Sequence, residues 1–333
     1  MQKTSYLAAI TLAFGLAVLA PPAPAADYVM KFGIATVNDA QHHYLLAYKD
    51  ALEKASNGKI EVQVYPASQL GAIPVEIQGV QLGSIQAFMA PVDFFTGIDP
   101  RYSVFAAPML FASEPQAAKS IHDPTLEPKV LALAEPKGLV GMSLLAVGAS
   151  HYAARKPILR LADFKGKKLR INGSDLERAK MSALGASGIA MALSEVMPAL
   201  DQGTIDGTIS GFAVFVPFKM NTLVHVVTVT NDTQLISIAM VSKRWLDGLP
   251  SDLRKLVLDT GHALEPTAQA DALALLAKLQ QQWVDMGGEV HQLPPEDLAQ
   301  MKKLLTPVGD EVTKSQPAVH DFYEQVRAVS AKN

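Results

Sequence analysis

Residues 165–177 of the chain read Lys-Gly-Lys-Lys-Leu-Arg-Ile-Asn-Gly-Ser-Asp-Leu-Glu. Alternation over Lys168–Ile171 predicts a short strand whose apolar residues face a core while Arg170 points to the other face. Ser174, followed three residues later by Glu177, is a capping-box pattern that predicts the start of a helix. The stretch is therefore a strand followed directly by a helix, which is the unit that builds α/β folds.

This strand and helix also predict an anion site. A guanidinium holds a carboxylate through two parallel hydrogen bonds, and free N–H groups at a helix N-terminus favour negative charge. Together they predict that Arg170 captures a small carboxylate. The plainer alternative is that Arg170 is an exposed arginine at the solvated edge of a sheet.

Strand and helix patterns alternate from the start of the chain. The first strand patterns are Tyr28–Ile34, Ile60–Tyr65 and 85–89, and the first helix patterns are 43–55, 74–82 and 116–134. A repeated order of strand and helix predicts a parallel sheet covered by helices.

A second series of strands and helices begins at residues 139–147 and runs through residue 242. Its further members are the strand at Arg170 and its helix, a helix over 195–202, and strands over 226–230 and 235–242. Roughly 307 residues after a leader exceed one core of about 250 to 300 residues, so we expect two α/β lobes.

The last third of the chain is mainly helical. Residues 252–286 predict one long helix with Pro266 inside it, and such a length suggests that it crosses between the lobes. Residues 295–305 and 319–329 predict amphipathic helices that close the surface.

The N-terminus has the features of a Sec signal peptide. Lys3 precedes an uncharged run over residues 7–20, and Ala23-Pro24-Ala25 fits the small-x-small rule for leader cleavage. We expect a leader over residues 1–25 and a soluble, exported, periplasmic mature chain. The apolar run is shorter than the roughly 20 residues of a membrane span.

Composition excludes several classes of function. The chain has no cysteine, which excludes disulfides, thiolate metal sites, cysteine nucleophiles and a lipidated cysteine anchor. The net charge is −3, and acidic and basic residues are interspersed rather than clustered, so nothing predicts nucleic-acid binding.

An enzyme would need a catalytic constellation, and the known motifs for nucleophiles, zinc, phosphates and dinucleotides do not occur. Ser56 to Lys59 matches Ser-x-x-Lys only formally, because it spans a helix end and a tight turn. The eight histidines show no metal-binding spacing. We therefore expect no enzyme, no metal and no cofactor.

Several separate stretches resemble the DctP-like periplasmic solute-binding proteins of TRAP transporters. The stretches that carry the resemblance are Gly58 to Gly71, Gln81 to Gly83, Ala107 to Phe111, Lys156 to Ile158, Asp163 to Gly166, Lys168–Ile171, Ala183 to Ala186, Ser194 to Val196 and Ala199 to Gly207. They cover essentially all of the chain after the leader and follow the family's order.

The resemblance implies a two-lobed periplasmic binding protein fold of type II-like topology, with a sheet flanked by helices in each lobe. We expect residues 26–147 and 236–275 in the first lobe, and 148–235 and 276–333 in the second. The resemblance also implies that Arg170 binds the ligand carboxylate. It implies further that the two lobes close on the ligand, which is then passed to a membrane permease with a small DctQ-like and a large DctM-like subunit.

Three departures from the family pattern bear on the ligand. Residues 149–151 lack a second arginine that the family often has, Ser210 replaces an asparagine, and Leu193 replaces a common aromatic. Fewer charged and amide groups suit a monocarboxylate with an apolar or aromatic body better than a diacid, because each unpaired buried polar atom costs about 1 to 3 kcal/mol.

The predicted ligand site combines one cation with hydroxyls, an amide and apolar cover. Its members are Arg170, Ser150, Asn172, Leu193, Ser210, Phe212, Phe94 and Ser237. Two alternatives stay open within the family, a C4-dicarboxylate or a sugar acid as ligand. Two lie outside it, a periplasmic enzyme or a sensor subunit that uses the same cleft.

Overall fold

The computed structural model describes residues 26–333, and the predicted signal peptide lies outside the described residues. The strands are β1 Tyr28–Ile34, β2 Ile60–Tyr65, β3 Ala87–Pro91, β4 Leu139–Ala149, β5 His151–Ala154, β6 Lys168–Ile171, β7 Ser187–Ala190, β8 Gly207–Ser210, β9 Val226–Val229, β10 Gln234–Ser242 and β11 Glu289–Gln292. They form two separate sheets, one in the order β2-β1-β3-β10-β4 and one in the order β11-β9-β5-β8-β6-β7.

Helices cover both sheets, as the alternating pattern predicted. They are α1 Ala40–Ala55, α2 Ile73–Leu82, α3 Glu114–Ile121, α4 Glu127–Ala132, α5 Asp175–Ala183, α6 Leu193–Asp201, α7 Phe212–Phe215, α8 Lys243–Asp247, α9 Ser251–Asp285, α10 Pro295–Leu305, α11 Val308–Thr313 and α12 Pro317–Lys332. Short 3₁₀ turns are Val92–Phe95, Pro100–Ala106, Glu135–Lys137, Leu161–Phe164 and Met220–Thr222.

The prediction of purely parallel sheets is wrong, because each sheet contains strands of both directions. β10 runs antiparallel to β3 and β4, and β5 runs antiparallel to β8 and β9. Four strands end at the space between the two sheets, namely β1, β3, β6 and β8. Strands β5 and β10 begin there. A strand that enters a sheet from the side where its neighbours end must run opposite to them.

The unit at Arg170 folds as its sequence predicted. Leu169 and Ile171 are fully buried in a core, and β6 pairs in parallel with β7 and β8. Helix α5 follows with the capping box in place, since the Ser174 hydroxyl accepts from the N–H of Glu177 at 3.2 Å.

Helix α9 crosses between the two lobes. At its start the Tyr48 hydroxyl of α1 donates to the Val257 carbonyl at 3.0 Å. In its middle the Gln269 amide accepts from the N–H of Ala146 at 2.8 Å and donates to that residue's carbonyl at 2.9 Å, which pairs helix to strand β4. Near its end Trp283 packs against Phe212 and Phe215 of the second lobe.

Helix α12 packs beside the first lobe, where Phe322 contacts Phe105 and the Ser330 hydroxyl donates to the Leu110 carbonyl at 2.7 Å. The exact lobe boundaries stay a prediction. Within residues 26–333, no helix combines the length and the apolar character that crossing a bilayer would need.

Candidate functional site

A cavity lies between the two sheets, where strands of both lobes end or begin. Ile34 and Pro91 bring the ends of β1 and β3 to its wall, and Arg170 and Ser210 bring the ends of β6 and β8. Its empty volume is about 910 Å³, part of which is open to solvent. Ligands of open α/β sheets bind in such a crevice beyond the strand ends.

Arg170 lies in the wall of this cavity and is only 2% exposed. Its Nε donates to the Met191 carbonyl at 3.0 Å, and its guanidinium carbon lies 5.9 Å from the centre of the Phe94 ring. Among residues 26–333, no hydrogen bond occupies its two terminal nitrogens. The structure therefore excludes the exposed-edge alternative and leaves the outer face of the guanidinium free.

The helix half of the predicted anion site is wrong. The Glu177 carboxylate accepts from the backbone N–H groups of Asn172 at 3.2 Å, Gly173 at 2.8 Å and Ser174 at 3.2 Å. The capping glutamate is itself the anion at these donors, so the start of α5 offers them to no ligand. Arg170 remains as the carboxylate-binding group.

Three carboxyl groups lie near Arg170, those of Glu177, Asp93 and Glu195. Burial lowers the pKa of Arg170, and the nearby Glu177 and Asp93 oppose that shift. Burial and then the Glu177 carboxylate raise the pKa of Asp93 well above its usual range. The same burial and the same neighbouring carboxylate favour the neutral form of Asp93, which weakens its charge beside Arg170.

Asn172 joins the lobes, because its side chain reaches Asp93 in the 3₁₀ turn after β3. Its Nδ2 lies 3.1 Å from Asp93 Oδ2 and 3.3 Å from Oδ1. The sequence predicted that Asn172 orients the ligand, and this stays a prediction; the structure shows that its amide nitrogen is bound to Asp93.

The structure brings six of the eight predicted site residues to the cavity wall. They are Arg170, Ser150, Asn172, Leu193, Ser210 and Phe94. Phe212 and Ser237 do not line it. Phe212 packs on His151 and Trp283 behind the wall. Ser237 is fully buried in β10, one residue beyond Ile236, the last residue of that strand that lines the cavity.

Seven polar residues of the wall were missed by sequence reasoning. They are Thr36, Asp39, Gln41, Asp93, Lys180, Thr233 and Gln234. They come from α1 and the segment before it, the turn after β3, α5, and β10 and the segment before it, which are far apart in the chain. Only Asp39 had a local sequence signal, because an aspartate directly before a helix is typical of an N-cap. That signal indicates a helix start and not a ligand contact.

Lys180 is a second cation at the wall, and it is already paired. Its Nζ donates to the Thr233 hydroxyl at 3.0 Å and lies 3.4 Å from Asp232 Oδ1. The Tyr152 hydroxyl donates to the other oxygen of Asp232 at 2.5 Å. This buried network ties α5 to the segment that leads into β10.

A separate cluster joins His122, Glu127 and Glu265 at the contact of α4 with α9. The His122 ring lies 2.9 Å from Glu127, and burial raises the pKa of Glu265 to about 9. The histidine spacing did not reveal this group, because its members are distant in sequence. The protonated Glu265 is a hydrogen-bonding group near neutral pH.

The sequence of the chain matches the bacterial extracellular solute-binding protein family 7, DctP, over residues 33–316. It is 33% identical over 301 residues to the C4-dicarboxylate-binding periplasmic protein DctP of Rhodobacter capsulatus, covering 89% of this chain and 90% of that protein.

The chain belongs to this family.

Solved structures of TRAP periplasmic solute-binding proteins share its fold. One from Sulfurospirillum deleyianum with bound succinate has a TM-score of 0.84 at 26% identity, covering 91% of this chain and 99% of that one. One from Desulfovibrio salexigens with bound orotic acid has a TM-score of 0.85 at 21% identity, covering 92% and 99%. The predicted family and two-lobed fold are confirmed.

As a member of family 7, this TRAP solute-binding protein has a fold and a cleft that serve binding. The family is periplasmic and consists of solute-binding proteins rather than enzymes, and its members work with membrane permease subunits. Its cleft accordingly presents a cation, amides and hydroxyls.

Proposed function

We propose that this solute-binding protein, exported by a signal peptide in residues 1–25, captures a monocarboxylate with an apolar or aromatic body through Arg170. It then delivers the acid to a TRAP permease with a DctQ-like and a DctM-like subunit. The observation that carries the proposal is the buried Arg170 guanidinium, held at Nε and unoccupied at its terminal nitrogens among residues 26–333. That fork matches a carboxylate in two hydrogen bonds.

The wall around Arg170 supports an apolar ligand body. Phe94 lies beside the guanidinium, and Leu193 is a buried residue of the same cavity wall. Further apolar side chains of the wall are Ile34, Ile73, Val92, Val147, Ile209, Val214, Leu235 and Ile236. Ser150, Asn172 and Ser210 stay our candidates for orienting hydrogen bonds, since all three line the same cavity.

The charges of the wall favour a single carboxylate. Lys180 is paired with Asp232, and burial lowers the pKa of His151 to about 4, so that this ring behind the wall is neutral near pH 7. Among the described residues, Arg170 is the only arginine that lines the cavity. A second carboxylate would lack a partner, at a cost of several kcal/mol.

A C4-dicarboxylate is the second candidate, and Lys180 favours it. Its ammonium lines the same cavity as Arg170, and a diacid that drew Lys180 away from Asp232 would have a cation for each carboxylate. The relative from Rhodobacter capsulatus is named for such a ligand.

A thermal-shift screen tests the proposal. The panel is benzoate, phenylacetate, hexanoate, succinate, L-malate, orotate and galacturonate. An acid at roughly 100 times its dissociation constant adds about 2.7 kcal/mol of stability. We expect the largest shift from a monoacid, and competition calorimetry between hexanoate and adipate then compares acids of equal length. Tighter binding of adipate would contradict the monocarboxylate and favour the second candidate.

The alternative that the protein is an enzyme is tested with the same panel of acids. We expect every acid to be recovered unchanged by proton NMR after overnight incubation with the protein. Conversion of one acid, lost in Arg170→Ala, would show instead that the cleft is catalytic.

A further inference from the structure

Four side chains that can ligate a metal converge where the end of α3 and the start of α4 face α9. His122 follows the last residue of α3, and Glu127 is the first residue of α4. His262 and Glu265 lie on α9. None of these four residues lines the ligand cavity, so their chemistry is separate from that of the cleft.

Three of these residues lie close enough together to share one ion. His122 Nδ1 is 2.9 Å from Glu127 Oε1 and 3.7 Å from Glu265 Oε2. Each of the three offers a ligand atom, and these atoms lie within 4.8 Å of one another. Ligand atoms around a tetrahedral zinc ion stand roughly 3.4 Å apart, because the bonds to zinc are about 2.1 Å long. The spacing of the side chains is therefore close to that of a zinc site.

His262 offers a fourth ligand. It precedes Glu265 by three residues, which places both on one face of α9, and its Nδ1 lies 2.8 Å from Glu265 Oε2. The side chain of His262 is 64% exposed and that of His122 is 24% exposed. Ions can therefore reach the cluster from solvent, and His262 has room to turn toward one.

The two carboxyl groups of the cluster need a cation or a proton between them. Glu127 and Glu265 are 7% and 2% exposed, and among residues 26–333 their ion pairs are to histidines alone. Two buried carboxylates side by side cannot both ionise without positive charge beside them, and buried charges in proteins are paired or coordinate metals. A divalent ion would supply the charge that no lysine or arginine of the described chain supplies here.

A backbone hydrogen bond already orients Glu265 for this role. Its Oε1 accepts from the N–H of Leu144 in β4 at 2.8 Å, and its Oε2 is the oxygen that faces both histidines. Such outer hydrogen bonds hold metal-ligating side chains in place. The carboxyl group is thus held by the sheet of the first lobe, although it belongs to the long helix.

We infer that the cluster of His122, Glu127 and Glu265 binds one divalent transition-metal ion. His262 completes its coordination. Zinc accepts imidazole and carboxylate ligands in four-coordinate sites, whereas calcium and magnesium prefer oxygen ligands alone. The bound ion displaces the proton between the carboxyl groups and fixes α9 to the first lobe. The sequence predicted no metal, because these ligands come from separate elements. The inference goes beyond the proposed function and does not depend on it.

A second group of the same residue types is an internal control. Asp310, His320 and Glu324 also place their ligand atoms within reach of one ion. There Arg327 is already bound to both carboxylates, at 2.9 Å from Asp310 and 2.5 Å from Glu324. Because the guanidinium supplies the positive charge, we expect no metal to bind this group.

Zinc titration of the full mature protein, without a histidine tag and after treatment with EDTA, tests the inference. Competition calorimetry against a chelator of known affinity should give one zinc ion per chain, and magnesium and calcium should give no saturable heat. Cobalt(II) should develop the visible absorption bands of a tetrahedral site. Saturating zinc should raise the melting temperature by roughly 2 to 5 °C, since an ion that binds only the folded state stabilises it.

Glu127→Gln and Glu265→Gln keep the shape of the side chain and remove its charge. We expect each to weaken zinc binding by at least about tenfold and to abolish the tetrahedral cobalt bands. His122→Ala should do the same. His262→Ala should weaken binding by less, because this side chain is the most exposed of the four. His320→Ala is the matched control and should bind zinc as the wild type does.

Three results would overturn the inference. Absence of saturable binding at micromolar zinc would mean that the two carboxyl groups share a proton only. Equal zinc affinity in the wild type and in the variants of Glu127, Glu265 and His122 would mean that surface histidines bind the ion. Loss of binding in His320→Ala would assign the ion to the other group.

The metal-free melting temperature of each variant shows that it is folded. If both glutamine variants unfold, His122→Ala decides the question, because its ring lies partly in solvent. No acid enters the titration, so its outcome is independent of the proposed function.

Discussion

The side-chain amide of Asn172 donates to the carboxyl group of Asp93, at 3.1 Å from Oδ2 and 3.3 Å from Oδ1. Asp93 follows β3 of the first sheet and Asn172 follows β6 of the second, so the contact joins the two lobes beside Arg170. Such a bond between lobes forms only when the cleft is closed, and it is one of the contacts that favour closure on a ligand.

This contact predicts that ligand affinity falls as pH rises. Burial and Glu177 raise the pKa of Asp93 in the closed state, whereas an open cleft exposes a carboxyl with an ordinary pKa near 3.9. Closure therefore takes up a proton, and affinity is lost as pH rises from that ordinary value through the raised one. Calorimetry from pH 5 to pH 8 with the best acid of the screen measures the slope.

Asp93→Asn should flatten that slope, since the amide needs no proton. The pKa of the buried Asp39 on the same wall is also raised, so a smaller slope remains. Glu61→Gln, on the exposed side of β2, is the matched control and should leave the slope unchanged. An unaltered slope in Asp93→Asn would show that this carboxyl takes no part.

Glu76 predicts a second effect of pH, on stability. It is fully buried in α2, with no partner for either oxygen among the described residues, and burial raises its pKa from 4.5 to about 8. The folded state keeps the proton, so this group's contribution to stability falls as pH rises from 4.5 to 8, by at most about 1.4 kcal/mol per pH unit. Urea unfolding at several pH values should show Glu76→Gln more stable than wild type at pH 8. A less stable variant there would contradict this reading.

The pair of Lys180 and Asp232 should be costly to break from one side. Lys180→Met leaves Asp232 buried with only its tyrosine donor, and removal of one partner from a buried ion pair costs about 3 to 5 kcal/mol. The double variant Lys180→Met with Asp232→Asn should recover part of that loss in urea unfolding. An exposed lysine, Lys59→Met, is the control. A cost below about 1 kcal/mol for Lys180→Met would mean that water screens the pair.

Much of the fold could be predicted from local patterns. The capping box placed the start of α5 correctly, and the unbroken helical pattern foretold α9 despite Pro266. The mixed strand directions could not be predicted, because they depend on which side the chain enters each sheet. The short helix α11 was missed, since its six residues carry too little periodicity.

The site was predictable only in part. Arg170 has a local signal because strand alternation and the family motif coincide on it. Gln41, Asp93 and Gln234 have none, since their importance comes from packing between distant elements. The helix start was overestimated, because a capping box supplies its own anion in Glu177, and the same sequence feature cannot serve both the cap and a ligand.

Arg170→Lys separates a fork from a point charge. An ammonium cannot form two parallel hydrogen bonds to a carboxylate, so we expect this variant to bind the best acid almost as poorly as the alanine variant. Calorimetry decides it. Affinity within about tenfold of wild type would show that charge alone suffices.

Calorimetric titration of Arg170→Ala with the best acid of the screen tests the central claim most directly. Loss of the charge-assisted contact should weaken binding by at least about 3 kcal/mol, which is more than a hundredfold. The melting temperature of ligand-free Arg170→Ala should equal that of the wild type. Arg244→Ala, which changes an exposed arginine, is the control and should bind the acid with wild-type affinity. Near-native affinity in Arg170→Ala would contradict the account.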